Sequence, residues 1–66
     1  MYQFGQPLTR DQHFKDHYEH QVPVQIYMGE QHQDIGYVQS YSSRFIKING
    51  TFYSRSLYTF ISRPGY

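Results

Sequence analysis

The sequence predicts a mainly β domain: a short N-terminal helix followed by five short strands that bend into a small antiparallel barrel. Three observations carry this. The 66 residues include eight Tyr and five Phe but two Leu and no Ala or Trp, which suits strands over helices. A period-two alternation of apolar and polar residues begins at Val22. An Asn49-Gly50 pair lies between two β-rich stretches, the preferred two-residue hairpin turn, because both central positions need positive φ.

Residues 1–8 read as a loose arm, since Gly5 and Pro7 discourage regular structure. Thr9 is the expected helix N-cap, with Asp11 in the first turn where the helix dipole favours an acid. The helix follows over residues 10–20. Its apolar face is thin, Phe14 and Tyr18 at i, i+4, so it must dock on something larger. Val22, Val24, Ile26 and Met28 then share one strand face, and Pro23 marks an edge or a strand end. Residues 29–33 read as a polar turn. Asp34 to Tyr41 is the second strand, with Gly36 at a bend or bulge. Ser42-Ser43 loosens the chain before a third strand from Arg44 to Ile48. Thr51–Ser54 returns as the fourth, Leu57–Ser62 is the fifth, and Arg63-Pro64-Gly65-Tyr66 ends it. The domain spans residues 1–66, with the barrel over 22–64.

Composition removes several function classes. A chain this short buries only about 60% of its unfolded surface and commonly relies on disulfides, metals or oligomerisation. With no cysteine, disulfides and Cys-type zinc sites are excluded. No apolar run approaches the roughly 20 residues of a membrane helix, and no signal-peptide pattern opens the chain, so a soluble, cytoplasmic protein without membrane contact is expected. Residues 1–35 hold two bases and five acids, net −3; residues 36–66 hold four bases and no acid, net +4. That asymmetry points one face at an anionic partner, although four charges also serve to keep a small barrel soluble.

No catalytic pattern is present: no serine sits in a Gly-x-Ser-x-Gly elbow, and no glycine-rich loop ends in a lysine. The chain is expected not to be an enzyme and to need no cofactor. His13, His17 and His20 stand at i, i+4 and i, i+3, a spacing that can bring two imidazoles to one helix face beside Asp16 or Glu19. A solvated helix surface is the plainer reading, and no metal site is expected.

The better candidates flank the hairpin. Alternation puts Phe45, Lys47, Phe52 and Ser54 on one face and Arg44, Ile46, Ile48, Thr51 and Tyr53 on the other. The isoleucines make the second set the core side, so Phe45, Lys47 and Phe52 face outward. Aromatic plates beside cations are how small barrels stack and neutralise single-stranded nucleic acid. The competing reading buries both phenylalanines in a subunit interface or under the helix.

Several segments, in order, resemble Hfq, the bacterial Sm-like RNA chaperone. Val22-Pro23-Val24-Gln25-Ile26-Tyr27-Met28 is similar to the family's Val-Pro-Val-x-Ile-Tyr-Leu. Gly36-Tyr37-Val38-Gln39-Ser40-Tyr41 is similar to its Gly-x-Ile-x-Ser-Phe, and Tyr53-Ser54-Arg55-Ser56-Leu57-Tyr58-Thr59 stands where the family has Tyr-Lys-His-Ala-Ile-Ser-Thr. Ser62-Arg63-Pro64 matches a Ser-Arg-Pro of some members. The family's Lys-His pair thus reads Ser54-Arg55, and its arginine rim on the helix reads Tyr18, Glu19 and Gln21. The resemblance implies an Sm-like (SH3-like) barrel in a homo-oligomeric ring, with six chains as the candidate size, that binds single-stranded RNA. Gln25 and Tyr27 would contact bases on one face; Tyr53, Arg55 and Phe45 would line the pore on the other, with Lys47 beside them. The alternative, which the lost basic residues favour, is a protein-interaction or structural module that no longer binds RNA. An edge strand, the last being the candidate, would then pair with a protein partner or with a second copy.

Overall fold

The computed structural model describes residues 3–65; residues 1 and 2 of the expected arm, and Tyr66, lie outside them. The described residues are mainly β, with one short helix and seven strands in two antiparallel sheets. In chain order the elements are β1 (Pro7–Leu8), α1 (Asp11–His20), β2 (Val24–Met28), β3 (Gln31–Gly36), β4 (Val38–Tyr41), β5 (Phe45–Ile48), β6 (Thr51–Ser54) and β7 (Thr59–Ser62). The first sheet runs β1-β7-β2-β3 and the second β4-β5-β6. No helix among the described residues is long and apolar enough to cross a membrane.

The five expected strands are present, and the second is divided. It breaks between Gly36 and Val38 into β3 and β4, so one bent segment serves both sheets. Gly36 is required there by close approach: a Cβ on it would come within 2.8 Å of the Asn49 amide and 2.9 Å of Ile48 Cγ2. The register slips lie on either side, between Ile26 and Tyr27 on β2 and between Val38 and Ser40 on β4, where added residues increase strand twist. The polar turn shortens to Gly29-Glu30, because Gln31 and His32 already pair with Met28 and Tyr27. Asn49 (φ 53°) and Gly50 (φ 77°) close the expected hairpin, with Ile48 opposite Thr51.

The arm is more ordered than expected. Pro7 and Leu8 pair with Ile61 and Phe60 of β7, the Gly5 amide donates to the Ser62 carbonyl at 2.7 Å, and Leu8 is buried. Proline is tolerated on this edge because no further strand needs its missing N–H. The last strand is consequently no edge: β7 lies between β1 and β2.

The helix start also differs. Arg10, not Thr9, stands at the N-cap, and the amides of Thr9 and Arg10 donate to His13 Nδ1 at 3.0 and 3.2 Å. The imidazole thus ties the incoming chain to the first turn, while the amides of His13 and Phe14 turn to the Arg10 carbonyl at 2.9 and 3.4 Å. On the inward face, Phe14 is buried beside His17, whereas Tyr18 is exposed and tilts against Tyr41 of β4. Phe14 meets Phe60 of β7 edge-to-face at 5.2 Å while Tyr18 leans on Tyr41 of β4, so the helix lies against strands of both sheets. Leu8, Val24, Ile26, Val38, Ile46, Ile48 and Tyr53 complete the core.

His17 occupies that core without any exposure. Its Nδ1 lies 2.6 Å from the His13 carbonyl and its Nε2 2.7 Å from Ser62 Oγ, which is equally buried. A carbonyl can only accept, so Nδ1 carries the hydrogen and Nε2 accepts from the serine. Burial lowers the His17 pKa; the His13 carbonyl and Asp16 pull the other way, and His13 adds to the lowering.

Candidate nucleic-acid interface

β5 and β6 carry the outward face of the second sheet. Their register sets Lys47 opposite Phe52 and Phe45 opposite Ser54, with Ser40 of β4 next to Lys47. Ile46, Ile48 and Tyr53 point the other way and are buried. The alternation thus sorts Ile46, Ile48 and Tyr53 as predicted, whereas Arg44 and Thr51 of the expected inward set are exposed beside the turns. Phe52 is 62% exposed and Phe45 44%, so neither is under the helix. Lys47 Nζ lies 5.3 Å from the Phe52 centroid, a cation over an aromatic ring that still keeps most of its surface in solvent.

The hairpin carrying these groups is braced at both ends. At the Asn49-Gly50 end, Asn49 Nδ2 donates to Asp34 Oδ1 at 3.1 Å and to the Ile35 carbonyl at 3.0 Å; the Gly50 amide donates to Gln39 Oε1 at 2.7 Å. Asp34 also accepts from its neighbour Ile35 and from the Tyr53 hydroxyl, the latter at 3.0 Å. Burial pushes the Asp34 carboxyl up, but the hydrogen bonds from Asn49, Ile35 and Tyr53, with the charge of His32, outweigh it and hold the pKa below its ordinary value. Tyr53 moves up, through burial first and then the bond to, and charge of, Asp34. At the other end, Ser42 and Phe45 bracket a two-residue turn. The Ser42 amide donates to the Phe45 carbonyl at 2.9 Å, and the amides of Arg44 and Phe45 donate to Ser42 Oγ. The Arg55 amide donates to the Arg44 carbonyl at 2.8 Å.

The six expected binding residues fall into four places. Phe45 and Lys47 share the outward face with Phe52. Tyr53 lies in the core at 9% exposure, edge-to-face with Tyr58 at 5.1 Å and bonded to Asp34. Arg55 is turned to the helix: Nη1 donates to Asp11 and to the Ser42 carbonyl, Nη2 to the Thr9 carbonyl, and the guanidinium lies 4.7 Å over the Phe14 ring. Gln25 and Tyr27 are half-buried on β2 of the other sheet. Gln25 Oε1 accepts from Arg63 Nε at 2.6 Å, and Tyr27 meets His32 edge-to-face at 5.6 Å. Arg63 in turn lies 4.7 Å over the Phe4 ring. Among the described residues no group of three or more His, Asp or Glu side chains is arranged to hold a metal ion. Two of the helix histidines have structural roles: His13 accepts from the amides of Thr9 and Arg10, and His17 is in the core.

Arg44 is a further element of this face that alternation mis-sorts. It falls in the core set by parity, yet at the tip of the Ser42–Phe45 turn it is exposed. The signal available in the sequence was the Ser42-Ser43 pair, since a serine that bonds amides two and three residues on forms a turn.

No family model, no curated protein and no solved structure matches this chain significantly.

Proposed function

We propose that this chain is a small, bent β-barrel that binds single-stranded RNA on the outward face of its β5–β6 hairpin and catalyses nothing. The observation that carries the reading is the exposed pair Phe45 and Phe52 flanking Lys47 on one braced hairpin. Two ring faces accept unstacked bases, and the lysine neutralises backbone charge. The bent β3–β4 segment shared by both sheets supports the Sm-like barrel. Phe45, Lys47 and Phe52 are the contacts in this reading; Tyr53 and Arg55 support the fold beneath them. Gln25 and Tyr27 form a second, weaker face.

Anisotropy of a labelled uridine-rich single strand tests it. Base stacking on an aromatic is worth about 1–3 kcal/mol, so Phe52→Ala should weaken binding roughly 5- to 150-fold while the far-ultraviolet spectrum stays unchanged. Equal affinity of the folded variant and the wild type would overturn it.

A second reading has its own support. The side chains at the pore positions of the resemblance, Tyr53 and Arg55, are engaged within the chain, and the outer side of β6 has no strand neighbour among the described residues. A free edge accepts a strand from a protein partner or another copy, which also makes homo-oligomerisation, up to a six-chain ring, a proposal. Light scattering on nucleic-acid-free protein decides: a concentration-independent mass several times 8.0 kDa supports assembly through that edge, and a monomer removes it.

A further inference from the structure

We infer that the depression beside Phe45 is a phosphate subsite, with Arg44 as its charged ligand; this rests on the nucleic-acid reading above. The depression measures about 380 Å³ and is lined by Ser43, Arg44, Phe45, Ser54, Arg55 and Ser56. Its lining holds two arginines, three serines and no acid, and no acid occurs anywhere after Asp34.

The two arginines differ. Arg55 is bound to Asp11 and to two backbone carbonyls, so its charge is largely answered and it forms the wall. Among the described residues the exposed Arg44 faces no carboxylate within salt-bridge distance, and its guanidinium has no hydrogen-bond acceptor. Its backbone is fixed nonetheless, by Ser42 Oγ on its amide and by the Arg55 amide on its carbonyl. A fixed Cα with an uncommitted guanidinium brings a fork of N–H donors within reach of an oxyanion, and the charge-assisted bonds offset the ordering of the side chain.

The hydroxyls complete the donor set. Ser54 Oγ and Ser56 Oγ lie 2.9 Å apart, so one donates to the other and the acceptor's own hydrogen is left for a ligand. Hydroxyl and guanidinium donors without an acid suit a phosphate group. Phe45, shared between the depression and the outward face, sets the phosphate next to the base that stacks on it.

Two measurements test the assignment. The first is the salt dependence of single-strand RNA affinity for wild type, Arg44→Ala and Phe52→Ala. One lost phosphate contact lowers the slope of log K against log salt by about 0.7. Arg44→Ala is expected to show that loss; Phe52→Ala is expected to lose affinity with the slope intact. An unchanged slope in Arg44→Ala overturns the subsite, whereas an unchanged affinity in Phe52→Ala overturns stacking. The second is independent of RNA: inorganic phosphate, against chloride at matched ionic strength, is followed by amide chemical shifts. Saturable shifts at Ser43, Arg44 and Ser56 that vanish in Arg44→Ala are expected. Shifts that are absent, or that persist in Arg44→Ala, overturn it.

Discussion

Ser62→Ala should destabilise this domain well beyond what the loss of one oxygen atom suggests. Ser62 Oγ donates to His17 Nε2 at 2.7 Å, and neither residue has any solvent exposure. Without the hydroxyl, Nε2 loses the buried donor that faces it, while Nδ1 keeps its hydrogen for the His13 carbonyl. Removing one partner of such a buried pair costs about 1–3 kcal/mol. For a domain of this size each kcal/mol lowers Tm by roughly 4–8 °C, so the drop should be at least about 4 °C. His17→Phe strands the Ser62 hydroxyl in the same way. The double variant removes both polar groups and should cost less than the two single changes added together, by about 1 kcal/mol or more.

The same pair gives a pH signature. The folded pKa of His17 lies below its ordinary value of 6.5. Below that value the unfolded chain takes up a proton that the folded chain refuses, so the stability is fully present above pH 6.5 and is lost as pH falls towards the folded pKa. Between pH 7.5 and 5.5 this single group removes stability, a share that His17→Phe should abolish. Urea unfolding at both pH values supplies all the numbers. Ser62→Ala within about 0.3 kcal/mol of wild type, or a His17→Phe protein with the full acid sensitivity of wild type, would refute the reasoning.

Gly36→Ala should cost about 1–3 kcal/mol in urea unfolding, since its Cβ meets an Asn49 amide already bonded to Asp34 and Ile35; a neutral result would mean that this contact yields freely. Arg55→Ala should lower stability by roughly 1–2 kcal/mol, chiefly through the lost stack on Phe14, because its partner Asp11 is 71% exposed and contributes little. Arg55→Lys should restore only part of that, and a drop in RNA affinity with stability unchanged would return Arg55 to the binding face. In Asp34→Asn, the Tyr53 pKa should move down towards its ordinary value, since the bond to and the charge of Asp34 help to raise it; a midpoint of the Tyr53 ring resonances against pH that equals that of the wild type would show the Asp34 contact to be absent.

Much of this architecture was readable from local chemistry. Asn49-Gly50 specifies its turn because few other pairs adopt positive φ twice, and the turn fixes the register that sorts Ile46, Ile48 and Tyr53 inward. Alternation correctly turns Phe45 and Phe52 outward, and it places Tyr53 in the core, where the resemblance expects a pore residue. What sequence could not supply were contacts between distant segments. The pairing of Pro7-Leu8 with β7 has no signal in two residues, one of them a proline. His17 reads as a surface residue until Ser62, 45 positions away, meets it. Arg55 reads as a free cation until the fold sets Asp11 and Phe14 against it. Gly36 marks the bend correctly, but the Asn49 side chain that needs the space is on another strand.

Amide chemical-shift mapping during titration with a uridine-rich single strand tests the central claim most directly. Perturbations concentrated on Arg44–Lys47 and Thr51–Ser56, saturating together and weakening with salt, are predicted. A folded protein whose shifts do not move, or move only around Gln25 and Tyr27, would contradict it.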